Sequence, residues 1–472
     1  MKKIGLFFIL VLAFGLRLYK IDSPIADWHS WRQADTSAVS RNFIKKGFDV
    51  LHPRFDDLSS IPTAGLENPS GYRFVEFPFY NLIQASFYHF FPIKTIEWWG
   101  RMTSIFFSLG SIIFIFLIAK KLINWPVAFL ASFFFAVLPY NIYYSRVVLP
   151  EPMMVFTSLA MIYFFIQWVD REKFIFYPLF VSLATISFLL KPFTAFFLIP
   201  LFYLAFRKWR WQVFKKPSLY LGLVISLIPL FGWRAWMSQF PEGIPKWTWL
   251  LNHENIRFKG AFFRWLFAER LGRLILGFWG LPLFVFGLVG SRNKKEGWFF
   301  YWWLFSVFAY WSVFAAGNIR HDYYQILAIP ILVIFLAKGV FFLLTSKSFD
   351  RFIRFPVLIA SLLFMLAFSW YEVRDLYQIN HPEIIQAGAA ADKILPSNAK
   401  VIAPYNGDTA FLYQINRQGW PHVTVSIDYL ISRGATHYVS VNFDETTKKL
   451  MEQFKVLEKQ DQFVIIDLTS QK

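Results

Sequence analysis

Cysteine is absent from the 472 residues. Disulfides, thiol nucleophiles and Cys-zinc sites are therefore excluded. Neither glycine pattern that cradles nucleotide phosphates occurs, the P-loop or the G-x-G-x-x-G turn, so a nucleotide substrate is not indicated. No internal repeat is visible, which weighs against an inverted-repeat transporter. Charged residues are few, at 17%, and acids are fewer than bases, with 30 Asp and Glu against 48 Lys and Arg.

Apolar residues are plentiful. They make up 56% of the chain, and aromatics alone reach 21%. Apolar runs long enough to cross a bilayer recur after the first, Ile4 to Leu16. They fall near 98–119, 125–145, 152–169, 174–190, 192–206, 218–236, 270–290, 298–316, 324–344 and 355–371. The sequence thus predicts an all-α polytopic membrane protein with about eleven transmembrane helices. A net charge of +18 first suggests nucleic acid. The bases, however, collect in alternate short turns, such as Lys120 and Lys121, Arg207 to Lys216, and Arg292 to Lys295. That asymmetry is what topology requires, so no nucleic-acid partner is expected. It places the N-terminus in the cytoplasm of a multi-pass protein of the cytoplasmic (inner) membrane. Lys2 and Lys3 before the first run resemble a secretory signal, but no small-residue cleavage site follows, so the run reads as an uncleaved helix.

The transmembrane part is expected over 1–371, with a long external loop over 21–97. In that loop, Gln33 to Lys46 has Val39, Phe43 and Ile44 at helical spacing and reads as an amphipathic helix on the membrane surface. Phe77 to Phe91, with Pro78 near its start, reads as a second interfacial or re-entrant helix rather than a span. Residues 372–472 are more polar and form an expected extracytoplasmic α/β domain. Its strands are expected at Lys400 to Ala403, His437 to Val441 and Phe463 to Leu468, with a helix at Asp444 to Gln453.

Groups able to do chemistry collect in the outer turns. Asp27, His29, Arg32, Gln33 and Asp35 crowd DWHSWRQAD. Glu76 lies in RFVEFPFY, Glu151 in VLPEPMM, Lys191 opens KPFTAFF, and Arg320, His321 and Tyr324 lie in NIRHDYYQ. Each has a plainer reading. Asp35 with Thr36 suits a helix cap, and Glu151 before Pro152 suits a helix N-terminus. Lys191 suits a headgroup contact, His321 and Asp322 a bonded pair, and Asp27 a solvated loop acid. Their recurrence at one membrane face favours chemistry, and the expectation is that they line one cavity. Carboxylates with cations suit a substrate bearing a phosphate and a hydroxyl. A carboxylate takes the proton of the attacking hydroxyl, and Lys191, Arg320 and His321 offset charge on a leaving phosphate. Glu76 and Glu151 would repel a phosphate unless a divalent metal, a sugar or a cation such as Lys191 meets them. No cofactor is required otherwise.

The stretch 1–340 resembles the GT-C glycosyltransferases of the protein-O-mannosyltransferase and aminoarabinose (lipid A) transferase type. The shared elements are a span followed by QADTSAVSRNF, then VEFPFYNLIQASFYHFF, LPEPMM and KPFTAFF. The resemblance implies an enzyme that moves a sugar from a polyprenyl-phosphate donor, with inversion, to an acceptor hydroxyl outside the membrane. It implies membrane lipids as partners. The family's acidic pair in the first loop is replaced here by Arg32 and Gln33. Asp35 is therefore expected to be the base, with Asp27 in reserve. Glu76 and Glu151 match the second and third acidic positions. Lys191, Arg320, His321 and Tyr324, with Arg32, are expected to bind substrate. The rival readings are a flippase or transporter, and a polymerase or ligase of polyprenyl-linked glycans.

Overall fold

Proline decides where several helices of the apolar part break. The computed structural model describes residues 2–60, 63, 65–290, 292–347 and 349–472, without the side chains of Lys2 and Lys3. The run 125–145 is two helices, Trp125–Val137 and Pro139–Tyr144. Leu138 between them is extended, at φ −60° and ψ 119°. The ring of Pro139 disfavours helical backbone in the residue before it. The same rule ends the helix Phe176–Leu190. Lys191 is extended at φ −153° and ψ 111°, and Pro192 opens a tighter turn, Pro192–Phe197.

Among the described residues, five helices are long and apolar enough to cross a membrane: Ile96–Leu122, Glu151–Arg171, Pro217–Met237, Asp322–Thr345 and the one beginning at Arg351. Shorter apolar helices are Ile4–Arg17, Trp125–Val137, Phe176–Leu190 and Phe299–Val313. The chain divides into two compact units. One comprises Met1–Ile21, Met102–Arg234 and Trp247–Leu376, and the other Asp22–Arg101, Ala235–Lys246 and Tyr377–Lys472.

The first unit is helical. Where Leu281–Val289 crosses Ile329–Thr345, Gly287 faces the carbonyl of Phe335 and Gly339 faces the carbonyl of Leu283. A Cβ at either position would overlap the neighbouring backbone, so glycine permits the close approach. Arg17 is wholly buried. It donates to the hydroxyls of Ser108 and Ser145 and to the carbonyls of Phe135 and Ala136. Those carbonyls end the helix Trp125–Val137, where no intrahelical donor reaches them. Buried Lys338 pairs with Glu296 at 3.0 Å, as a charge in an apolar body requires.

The second unit joins the long loop to the C-terminal region. Its sheet consists of β1 (Lys400–Ile402), β2 (Gln418–Trp420), β3 (His437–Ser440), β4 (Phe454–Lys459) and β5 (Val464–Gln471). The strand order is β2-β1-β3-β5-β4. β1 runs parallel to β2 and β3, and β5 runs antiparallel to β3 and β4. Three of these strands coincide with the expected runs. β2 has only three residues, too few for alternation to show. The loop adds to this sheet. Leu58 N–H donates to the Gly419 carbonyl at 2.7 Å, and Gly419 N–H donates to the Asp56 carbonyl at 2.9 Å. Leu58 accordingly shares a core with Ile402, Trp420, Tyr438 and Ile466.

The expected surface helix differs from the sequence reading in two ways. It spans Ser30–Lys46, so it begins before Gln33, after His29 in left-handed backbone. Its residues from Arg32 to Ser40 are all buried. It packs against the helices Phe79–Phe90 and Thr409–Ile415. A helix enclosed in this way has no broad face for lipid. The spacing of Val39 and Phe43 reports packing on protein.

Candidate active site

In the second unit, the helix Ser30–Lys46 places Arg32 and Asp35 three residues apart, on one face. Asp35 is well inside the helix, so it is not the cap. Next to the helix, the segment 53–55 pairs with 71–73: Phe55 N–H donates to the Gly71 carbonyl and Arg73 N–H to the Pro53 carbonyl, each at 2.8 Å. The Arg73 guanidinium lies 4.9 Å from the centre of the Phe55 ring. It donates to Asp35 Oδ2 at 2.7 Å. Thr409, which opens the helix Thr409–Ile415, donates its hydroxyl to Asp35 Oδ1 at 2.8 Å. Both oxygens of Asp35 are thereby aimed, with a charge-assisted bond on one side.

Three of the expected residues meet here. Arg32, Asp35 and Glu76 line one small cavity together with Arg73. Its volume of about 10 Å³ is close to that of one water probe. Arg32 Nη2 donates to both oxygens of Glu76, at 2.7 and 3.0 Å. The charge of Glu76 is thus met by a cation. Asp27 is buried, and its Oδ1 accepts from Gln33 Nε2 at 2.7 Å. It is not on the cavity wall.

Replacing Thr409 by valine removes one orienting bond to Asp35 and keeps the side-chain shape. Turnover by Thr409→Val should fall roughly tenfold, the equivalent of about 1.4 kcal/mol, with little change in melting temperature. Steady-state kinetics of the purified variant check this.

Asp57 was not singled out by the sequence. It is 1% exposed, and its Oδ1 accepts from Ser59 N–H at 2.7 Å. Burial pushes its carboxyl up to about 7; the charge of Asp35 adds to the rise, while Ser59 and Arg73 oppose it. A carboxyl that holds its proton more tightly when folded stabilises the fold at low pH. That contribution is lost as pH rises from the unfolded value, about 3.9, towards the folded one. Asp57→Asn keeps the acceptor for Ser59 and cannot ionise. The variant should therefore melt higher than wild type at pH 8, by on the order of 2–4 kcal/mol, and about equally at pH 4. Melting curves at the two pH values measure the difference.

In the first unit, Glu151 begins the helix Glu151–Arg171 after Pro150, as the plainer reading had it. It is nonetheless only 1% exposed, far more buried than a helix-end acid needs to be. Lys191 Nζ lies 3.3 Å from Glu151 Oε1. The carboxylate oxygens have no hydrogen-bond partner, so the contact is a charge pair that leaves acceptor capacity unused. The break before Pro192 turns this lysine out of the helical run. Phe193 of the same turn has its ring 6.0 Å from that of Tyr324. Tyr324 in turn lies 5.9 Å from the His321 ring. Lys191, Tyr324 and His321 therefore belong to one neighbourhood. Arg320 is half-exposed and lies 3.7 Å from Glu254 and over Trp249, whose ring is 5.4 Å from that of His321.

Asp322, Arg270, Tyr140 and Tyr144 were missed as a group. Tyr144 donates to Asp322 Oδ1 at 2.6 Å and Tyr140 to its main-chain carbonyl at 2.5 Å. Arg270 lies 3.6 Å from Asp322 Oδ2. NIRHDYYQ shows the acid, but its partners lie far off in sequence. Arg73 and Thr409 were missed for the same reason. Among the described residues, no three His, Asp or Glu side chains are grouped to hold a metal ion. The two metal candidates, Glu76 and Glu151, each face a cation instead.

Residues 76–236 match the family model described as dolichyl-phosphate-mannose-protein mannosyltransferase. No curated protein matches the chain. Among solved structures, ArnT from Cupriavidus metallidurans bound to undecaprenyl phosphate aligns with a TM-score of 0.68 and 12% identity, over 97% of each chain. Its apo state aligns at 0.63 and 12% identity, over 98% of this chain and 97% of that one. The oligosaccharyltransferase AglB from Archaeoglobus fulgidus, in complex with an inhibitory peptide and a dolichol-phosphate, aligns at 0.55 and 8% identity, over 93% of this chain and 69% of its own. The fold is accordingly that of ArnT and AglB: largely helical, with helices apolar enough to cross a membrane and a small sheet near the C-terminus.

Proposed function

Starting from the GT-C fold, we propose that the protein is an inverting glycosyltransferase. It takes a sugar from a polyprenyl-phosphate donor and places it on an acceptor hydroxyl at the outer face of the cytoplasmic membrane. Two relatives in fold hold polyprenyl phosphates, undecaprenyl phosphate in ArnT and dolichol-phosphate in AglB, which supports a lipid donor here. The observation that carries the reading is Asp35, a buried carboxylate on a cavity wall with both oxygens aimed by Arg73 and Thr409.

Asp35 acts as the base. It removes the proton from the acceptor hydroxyl as that oxygen attacks the anomeric carbon. The bond from the anomeric carbon to the phosphate oxygen breaks, and the lipid phosphate leaves with its electron pair. Attack opposite the leaving group inverts the anomeric centre. Lys191 meets the developing phosphate charge. Glu151 and Glu76, each answered by a cation, are free of the net repulsion that would exclude a phosphate, and they accept bonds from sugar hydroxyls. His321 and Tyr324 complete the polar side of the Lys191 turn. Arg320, paired with Glu254, is assigned to the lipid headgroup region.

The test is incubation of the purified protein with a panel of labelled polyprenyl-phosphate sugars and candidate acceptors. One pair should give free lipid phosphate and a glycosylated acceptor of inverted configuration. A product of retained configuration from the active pair would contradict the mechanism.

A further inference from the structure

In the second unit, a cavity of about 300 Å³ opens beside β2. Its walls are the loop segment 58–60, the end of β2 and the helix Ile427–Ser432 with the chain that follows. The volume is at the lower end for small-molecule sites. The lining mixes aromatic surface with hydrogen-bonding groups. Trp420 forms part of the wall, and Tyr429 presents an exposed ring. Ser59 is 5% exposed and stands in the wall, with its hydroxyl beside the Asp57 carboxylate.

Charge in this pocket is lopsided. Glu67 is already answered by Arg433 and accepts from the Tyr429 hydroxyl. Lys400 has no carboxylate partner among the described residues. An anionic group at Lys400 would answer that charge.

The pocket is continuous along the chain with the catalytic cluster. Phe55 underlies Arg73, Asp57 feels the charge of Asp35, and Ser59 stands in the pocket wall. The wall thus begins directly after Asp57, whose Oδ1 accepts from the Ser59 N–H.

We propose that this pocket binds the acceptor, and that the acceptor is a saccharide carrying an acidic group. A sugar ring lies against Tyr429 and Trp420, its hydroxyls bond Ser59, and its acid meets Lys400. The acceptor role rests on the glycosyltransferase reading; the binding does not.

The experiment is isothermal titration of the full-length protein in detergent. The probes are a short oligosaccharide of glucuronate units and a neutral glucose oligosaccharide of equal length. The acidic probe should bind saturably and at least tenfold tighter than the neutral one. Lys400→Gln and Tyr429→Ala should each weaken it at least tenfold, and Lys400→Arg should retain it, which separates charge loss from misfolding. Absence of saturable binding, equal binding of the neutral probe, or wild-type affinity in Lys400→Gln overturns the proposal. If the acidic probe binds but no donor ever glycosylates it, the role as acceptor fails and the pocket stands. If transfer to another acceptor proceeds while neither probe binds, the pocket fails and the glycosyltransferase reading stands.

Discussion

Asp35→Asn should lower sugar transfer by about 10²–10⁴-fold, the range typical of losing a positioned general base. The local structure should survive the change. In the wild type, Oδ2 accepts from Arg73 and Oδ1 accepts from the Thr409 hydroxyl. In asparagine the carbonyl oxygen still accepts from Arg73, and the amide nitrogen donates to the threonine oxygen, which has free lone pairs. Shape and bonding are kept, but basicity is lost together with the negative charge that answers Arg73. Stability should therefore fall by about 1–3 kcal/mol, with the fold and donor binding retained, while kcat collapses by far more. Asp27→Asn is the control for the reserve candidate. Its Gln33 contact also tolerates an amide oxygen, and it is not on the cavity wall, so its loss should be much the smaller. Full activity in Asp35→Asn together with an inactive Asp27→Asn would move the base to Asp27.

The second large effect concerns the buried pair of Glu151 and Lys191. The side chains are 1% and 8% exposed, so neither charge has water to fall back on. Lys191→Met leaves Glu151 buried and uncompensated, which should cost about 3–5 kcal/mol of stability. Adding Glu151→Gln to Lys191→Met removes the orphaned charge, so the double variant should regain most of that stability. Transfer should not return with it, because the ammonium proposed to meet the leaving phosphate is still missing. A purely structural pair would behave otherwise: activity would recover alongside stability. Thermal melting and transfer rate, measured on the same three preparations, separate the two outcomes.

Much of the fold could be read from local pattern. Apolar length marked the helices, and turn residues such as Pro192 marked their ends, which is how Lys191 stood out. The site residues on those turns were visible because a charge beside an apolar run is conspicuous. What stayed hidden depends on long-range contact. The helix Ser30–Lys46 was read as lying on lipid because its spacing shows which residues are covered and not what covers them. The helix Thr409–Ile415 lies more than 360 residues further on, so nothing near Asp35 announces Thr409. Arg73 sits in a quoted motif, yet its role follows from the pairing of 53–55 with 71–73, which short irregular segments do not reveal. Asp57 reads as an ordinary loop acid until Gly419 and Leu58 enclose it. Arg320 shows the converse: a conspicuous charge at the right turn whose carboxylate neighbour is the exposed Glu254, from another stretch of chain.

The chemical fate of the donor tests the central claim most directly. Protein reconstituted in vesicles would be given a radiolabelled polyprenyl-phosphate sugar and its acceptor, and label and lipid would be followed together. The account predicts one lipid phosphate released for each acceptor glycosylated, with both products lost in Asp35→Asn. Intact donor moved from one leaflet to the other, with its sugar–phosphate bond unbroken and the movement unaffected by Asp35→Asn, would contradict it and identify a flippase.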